Sequence, residues 1–156
     1  MSPPHDHQHC IDTAIETAAS LCAEQGMRFT PIRRRVLALV WGGHQPAGAY
    51  GILDALKAAY PRAVPPTVYR ALDFLIGLGL IHRIESMNAY VGCPHPDSEH
   101  NGQFLICTQC GNAAEIDDPA IRRAIGEHAR KIGFTIERIT VEVSGLCPKC
   151  GPEDAS

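Results

Sequence analysis

Apolar residues recur with helical spacing through the first half of the chain. Each such segment is bounded by residues that commonly start or end a helix. The pattern predicts helices over residues 10–25 and 31–41, from Ala49 to before Pro61, and from Pro65 to about residue 77. Thr30-Pro31 is a typical helix start, because an N-cap is followed by proline at the first helical position.

The spacing of apolar residues changes after the fourth predicted helix, from a helical period to an alternating one. Residues 80–85 and 90–93 predict a β-hairpin, and helices followed by a hairpin are typical of a winged helix. Further on, the pattern predicts short strands at 103–107 and 113–117, a helix from Pro119 to Gly133 with Ile121, Ile125 and Ile132 on one side, and a strand over residues 134–143. The chain is therefore expected to be a mixed α/β (α+β) protein with two parts.

Composition divides the chain further. Residues 1–9, with His5, His7 and His9, are expected to form a disordered polar tail without a metal role. Residues 10–92 form the predicted winged-helix domain, and the Pro- and Gly-containing residues 93–102 a linker. Residues 103–156 form a small α/β unit, which is short for a stable core of its own and needs a zinc clasp or a partner subunit.

Charge and hydropathy set limits on function. The net charge is −3, but residues 1–85 hold 8 Lys/Arg against 7 Asp/Glu, whereas residues 86–156 hold 6 against 10. The first half includes Arg33-Arg34-Arg35, which fits a phosphate-binding face but also fits an ordinary solvated helix. No apolar run approaches the ~18 residues of a membrane span, and the start is too polar for a secretory signal, so a cytoplasmic protein without a membrane partner is expected.

Four of the seven cysteines form two Cys-x-x-Cys pairs, Cys107/Cys110 and Cys147/Cys150. One tight turn presents both thiolates of such a pair to a single metal ion, and two pairs complete a tetrahedral zinc site. The alternative is dithiol redox chemistry, which places the pair ahead of a helix that lowers a thiol pKa. Only six residues follow Cys150, so the spacing favours structural zinc.

A second group of metal-binding residue types surrounds the first pair. His82, Cys93, His100 and Glu115 supply one sulfur, two imidazoles and a carboxylate, which suit a second zinc ion. His95 is a rival for His100, and the residues alone do not separate the two. The zinc deaminase pattern, Gly-rich phosphate loops and nucleophile elbows are all missing, so no enzyme is predicted.

Four motifs together resemble the Fur family of metal-dependent repressors, and within it most closely the zinc-uptake regulators (Zur). The resemblance extends from about Leu21 to Cys150. The motifs are Thr30-Pro31-x-Arg33, the run from Pro65 to Leu75 (PPTVYRALDFL), Ile106-Cys107-x-x-Cys110-Gly111 and Gly145-Leu146-Cys147-x-x-Cys150. Iron-sensing members carry His-His-x-His ahead of the first thiol pair, where this chain has Ser98-Glu99-His100-Asn101, which favours zinc.

The resemblance implies roles for particular residues. It implies a winged helix, a hinge at 93–102, and an α/β dimerisation and metal-binding domain at 103–156. It implies two zinc ions per chain: a structural one at the four paired cysteines and a regulatory one at His82, Cys93, His100 and Glu115. Tyr50 and Arg70 match residues that contact DNA bases. Tyr69 and Thr67 lie beside Arg70, and Arg33 is expected to contact a phosphate.

The expected protein is a zinc-responsive transcriptional repressor. Its zinc-loaded homodimer is expected to bind palindromic operators, in double-stranded DNA, of zinc-uptake genes. Three alternatives remain open from the sequence: a Fur-family regulator that responds to iron or peroxide, a dithiol oxidoreductase, and a structural zinc-ribbon protein.

Overall fold

The computed structural model describes residues 7–43, 45–96 and 102–152. The chain divides into two compact units, Met1–Ser98 and Glu99–Ser156. Over the described ranges the elements are, in order, α1 (His7–Glu24), α2 (Pro31–Trp41), β1 (Ala47–Gly48), α3 (Ala49–Leu56), α4 (Pro65–Gly77), β2 (Ile81–Ile84), β3 (Ala89–Gly92), β4 (Gln103–Cys107), β5 (Ala113–Ile116), α5 (Pro119–Lys131) and β6 (Val141–Gly145). Among these ranges, no helix is long and apolar enough to cross a bilayer.

The first unit is built around the apolar stripes of its four helices. The stripes meet in one core whose fully buried members include Val36, Leu37, Leu56, Leu72 and Leu75. A three-stranded sheet of order β1-β3-β2 lies at the edge of this core. The two-residue strand β1 was not predicted, because Ala47 and Gly48 carry no strand pattern and are recruited by pairing with Tyr90 and Ala89.

The fourth helix starts where the sequence predicted it. Pro65 occupies the first turn, where a missing backbone N–H costs nothing. The Val64 N–H donates to Thr67 Oγ1 over 3.3 Å, and the Thr67 N–H donates to the Val64 carbonyl over 2.9 Å. These bonds hold the entry to α4, so its exposed side chains start from a rigid point.

The predicted hairpin is formed by β2 and β3. His82 pairs with Val91, and the ladder continues past the strands, since the Cys93 N–H donates to the Leu80 carbonyl over 2.9 Å. The turn between the strands ends at Asn88, whose φ of 47° is left-handed. Arg83 Nη2 donates to Asn88 Oδ1 over 2.8 Å and holds this turn in place.

The second unit is a mixed three-stranded sheet with one helix. The strand order is β5-β4-β6. Strands β4 and β5 are antiparallel, whereas β4 and β6 are parallel, and α5 lies in the crossover that a parallel pair requires. Gln103 is fully buried, and its amide bonds both the N–H and the carbonyl of Asp118 at the start of α5. The predicted mixed α/β fold is confirmed.

Three local predictions need correction. The first helix begins at His7, so His7 and His9 belong to α1, whereas residues 1–6 lie outside the described ranges. The predicted strand over 134–143 forms only from Val141 onward, because β4 starts at Gln103, opposite Val141, and offers no described partner before it. Ile132 was predicted to share one side of the last helix with Ile121 and Ile125, but it is 79% exposed whereas those two are half-buried. It follows the end of α5, where the helical spacing no longer applies.

Candidate metal centres and recognition helix

The four paired cysteines converge in the second unit. The sulfurs of Cys107, Cys110, Cys147 and Cys150 all lie within 4.8 Å of one another. The Cys110 and Cys147 sulfurs are 3.8 Å apart. Zinc–sulfur bonds of about 2.3 Å in a tetrahedron place sulfurs about 3.8 Å apart, so the spacing fits zinc.

Local backbone structure presents these sulfurs. Each pair lies in a tight turn, in which the Gly111 N–H donates to the Cys107 carbonyl over 3.0 Å and the Gly151 N–H donates to the Cys147 carbonyl over 2.8 Å. Gly111 has a φ of 74°, which a side chain would make strained. Strands β4 and β6 run parallel with Cys107 opposite Gly145, so both turns emerge from the same end of the sheet.

The thiols of this cluster differ in acidity. Backbone N–H groups of Cys110 and Cys147 donate to the Cys107 sulfur and lower the pKa of the Cys107 thiol to about 6. Contact with the Cys147 side chain, together with burial, raises the pKa of the Cys150 thiol to about 12. Thiolates this close repel one another, so a cation bound among the four sulfurs would favour the ionised form of all of them.

A second pair of metal-binding side chains lies on the hairpin of the first unit. Positions 80, 82 and 84 share one face with positions 89, 91 and 93, because paired residues of antiparallel strands point the same way. His82 and Cys93 are therefore diagonal neighbours, and a ring nitrogen of His82 lies within 4.8 Å of the Cys93 sulfur. The half-buried imidazole and the buried thiol form two ligands of a possible zinc site.

The sequence named three other candidate ligands for that site, Glu115, His100 and His95. Glu115 lies on β5 in the second unit, half-buried, and its pairing with Phe104 puts it on the buried face of that sheet. His100 lies outside the described residues. His95 is exposed two residues beyond Cys93 and does not join the pair formed by His82 and Cys93.

Sequence reasoning missed two residues beside this pair. A Cβ built on Gly92 would lie 2.1 Å from Trp41 Cε2, so the indole occupies the space of a side chain. Trp41 ends α2, and Gly92 ends β3 immediately before Cys93. The contact therefore ties the strand that leads to Cys93 to a helix of the core. The available signal was the glycine at a strand end, which often marks a close approach.

The predicted DNA-binding residues of α3 and α4 lie at the surface. Tyr50 is 71% exposed on α3, and Tyr69 and Arg70 are exposed on α4. Thr67 is half-buried, and its hydroxyl oxygen is engaged in the helix cap described above. An exposed aromatic and arginine face on the helix that precedes the hairpin is what a recognition helix requires.

Arg33, the predicted phosphate contact, makes several contacts within the first unit. Its guanidinium carbon lies 3.5 Å from the centre of the Phe74 ring. Its Nη1 donates a short hydrogen bond to the Arg28 carbonyl, and its backbone N–H donates to Thr30 Oγ1 over 3.3 Å. The side chain is thus held against α4 and the loop that precedes α2.

Comparison with known proteins identifies the family. The model of the ferric uptake regulator family matches residues 24–144. The zinc uptake regulation protein of Escherichia coli (strain K12) is 40% identical over 137 residues, which cover 87% of this chain and 80% of that protein. A zinc uptake regulator solved in complex with zinc and DNA superposes with a TM-score of 0.86 at 37% identity, covering 89% of this chain and 93% of the other.

A second solved relative gives the same result. The crystal structure of holo XcZur superposes with a TM-score of 0.80 at 40% identity, covering 88% of this chain and 96% of the other. The resemblance predicted from the motifs is confirmed. Because the family consists of regulators, the prediction that the chain is not an enzyme is also confirmed. The chain belongs to the ferric uptake regulator family.

Proposed function

We propose that this protein is a cytoplasmic, zinc-responsive transcriptional repressor. In its zinc-loaded form, a homodimer binds palindromic operators of zinc-uptake genes and blocks their transcription. The observation that carries this proposal is the His82–Cys93 pair, which brings an imidazole and a thiol together on the hairpin. The similarity to zinc uptake regulators supports zinc as the signal, and a thiol ligand is softer than iron or manganese prefers.

Two zinc ions per chain have separate tasks in this proposal. Cys107, Cys110, Cys147 and Cys150 hold a structural ion in a closed shell, which stabilises a unit with few fully buried side chains. His82 and Cys93 bind the regulatory ion together with His100 and Glu115, as the family resemblance implies. Because His82 and Cys93 belong to the DNA-binding unit and Glu115 to the other, bound zinc would restrain one unit relative to the other.

Restraint of the units is how zinc would control DNA binding. A dimer binds a palindrome only when its two recognition helices match the spacing of the half-sites, about one helical turn or a multiple of it. Zinc that binds the matching arrangement more tightly shifts the population toward it. Tyr50 and Arg70 then contact bases, Tyr69 meets the DNA beside them, and Thr67 holds the start of α4.

The second unit offers a surface for a second copy of this chain. Large apolar side chains are exposed on it, at Leu105, Ile132, Phe134, Val143 and Leu146. Leu105 and Val143 are directly paired across β4 and β6, so they form a continuous patch. Exposed apolar patches of this kind mark interaction sites, and burial against a second copy would supply the core that this short unit lacks.

The test is a titration of operator binding with buffered free zinc. It uses DNA from the organism's own zinc-transporter promoters and the single variants His82→Ala, Cys93→Ser, His100→Ala and Glu115→Ala. Each variant is expected to remain dimeric, to keep one tightly held zinc and to need far more zinc for DNA binding. Glu115→Ala should have the mildest effect, because water can replace a carboxylate ligand.

His95→Ala is the matched control, because His95 is exposed and lies near Cys93 in sequence. It should respond to zinc as the wild type does. A wild-type response from Cys93→Ser would refute the regulatory site. Loss of response in His95→Ala alone would move the ligand from His100 to His95. Operator binding that follows iron or peroxide instead of zinc would refute the proposed signal.

A further inference from the structure

Arg33 and Phe74 form a contact between two helices of the first unit. Arg33 lies in the first turn of α2, and Phe74 lies near the end of α4. At 3.5 Å from the ring centre, the guanidinium is well inside the range of a cation–π interaction, about 6 Å. The stacked geometry needs the flat guanidinium of arginine, which lysine does not have.

The same side chain is also fixed from the other direction. Its Nη1 bonds the Arg28 carbonyl in the loop before α2, and its backbone N–H bonds the Thr30 cap. Burial raises the pKa of the Cys22 thiol. The positive charge of Arg33 lies close enough to this core residue to oppose that increase. A phosphate-binding arginine is instead expected to extend from the surface toward solvent.

Phe74 is placed to transmit this restraint to the DNA-binding face. It follows Arg70 by four residues on α4, and residues four apart lie one above the other on a helix. Holding the Phe74 ring against α2 therefore limits how α4 can roll about its axis. Since Arg70 lies one turn away on the same side, the roll of α4 decides where its guanidinium points.

We propose that Arg33 is a positioning residue for the recognition helix, which acts by clamping Phe74 so that Arg70 faces the base edges. This role rests on the proposed DNA-binding function. A phosphate contact affects all DNA sequences nearly equally and contributes about one unit to the salt dependence of binding. A clamp instead affects the discrimination between operator and other DNA, because only base contacts depend on the exact direction of Arg70.

The experiment compares Arg33→Lys, Phe74→Leu and the double variant with the wild type. Each protein is loaded with zinc and bound to operator DNA and to a scrambled duplex at several salt concentrations. Arg33→Lys keeps the charge, and Phe74→Leu keeps the apolar volume, so both should remain folded. Each should weaken operator binding by about 3- to 30-fold per half-site, the range of a partly desolvated cation–π contact. Binding to the scrambled duplex and the salt dependence should not change.

Three further comparisons make the result decisive, with the double variant, with Arg34→Lys and with Arg33→Met, which removes the charge. The double variant should be no weaker than the single ones, because both remove the same contact. Arg34→Lys is the matched control: Arg34 lies 5.3 Å from the Phe29 ring and contacts no residue of α4 by stacking, so its operator preference should be unchanged. The clamp is refuted if Arg33→Lys binds the operator as tightly as the wild type. It is also refuted if Arg33→Met lowers the salt dependence by about one unit and weakens both duplexes equally.

A protein that lacks the proposed DNA-binding function would give a different result from one that has the function but lacks the clamp. In that case the wild-type protein itself would show no zinc-dependent preference for the operator. The clamp is then tested without DNA, by a double-variant cycle of denaturant unfolding with the same substitutions. Additive effects of Arg33→Lys and Phe74→Leu on the free energy of unfolding would refute the contact, and coupled effects would support it.

Discussion

Gly92→Ala should destabilise the first unit through a clash with Trp41. The new Cβ would lie 2.1 Å from Trp41 Cε2 and 2.3 Å from Nε1, far inside van der Waals contact. The indole is rigid and half-buried at the end of α2, so either the ring or the strand end must shift. Overpacking of this kind costs about 1–3 kcal/mol of unfolding free energy. For a unit of this size, each kcal/mol lowers the melting temperature by about 4–8 °C.

The same substitution should also disturb zinc sensing. Gly92 precedes Cys93, and the Cys93 N–H bonds the Leu80 carbonyl at 2.9 Å, so a shifted strand end moves the sulfur away from His82. The zinc concentration for half-maximal operator binding should therefore rise. Thermal melts followed by circular dichroism and by fluorescence, for which Trp41 is the single tryptophan, measure the stability of the unit.

Two variants separate the clash from a general effect of alanine. Gly51→Ala on α3 is the control, since a Cβ there meets nothing within 4 Å, and it should leave the unit stable or stabilise it by up to about 1 kcal/mol. Trp41→Leu should relieve the clash, so Gly92→Ala should cost less in that background than in the wild type. A Gly92→Ala protein that melts with the wild type would refute the reasoning.

Three further predictions concern the rest of the molecule. Cys150→Ser should abolish the stable dimer, because loss of one ligand from a closed zinc site removes folding energy of that unit; sedimentation that shows an intact dimer would contradict it. Zinc binding at pH 7 should release protons, because the Cys150 thiol with a pKa of about 12 must ionise; calorimetry in buffers of different protonation enthalpy measures the number released. Arg70→Ala should cost roughly 1–3 kcal/mol of specific binding per half-site while zinc content and dimerisation persist; unchanged operator specificity would rule out a base contact.

Local pattern in the sequence was sufficient to locate the starts of two helices of the first unit. Thr30-Pro31 and Pro65 mark the starts of α2 and α4, and both helices begin there. The spacing within each Cys-x-x-Cys pair likewise follows from one turn, whereas the meeting of the two pairs depends on the parallel pairing of β4 with β6. Motif content also identified the family, which the family model confirms over residues 24–144.

Tertiary structure decided the features that depend on which segments become neighbours. Strand β6 begins at Val141 because β4 begins opposite it, although the sequence pattern predicted a strand from residue 134. The pairing of β2 with β3 brings His82 and Cys93 to one face, a fact that depends on register rather than on either residue.

The roles of Gly92 and Arg33 were decided in the same way. Gly92 lies beneath an indole that is 51 positions earlier in the chain, and Arg33 stacks on a ring of another helix. The pattern of amino acids in a segment indicates whether that segment favours helix, strand or turn. Contacts between residues far apart in sequence form only when those segments pack, and neither the partner of Gly92 nor that of Arg33 can be read from the local pattern.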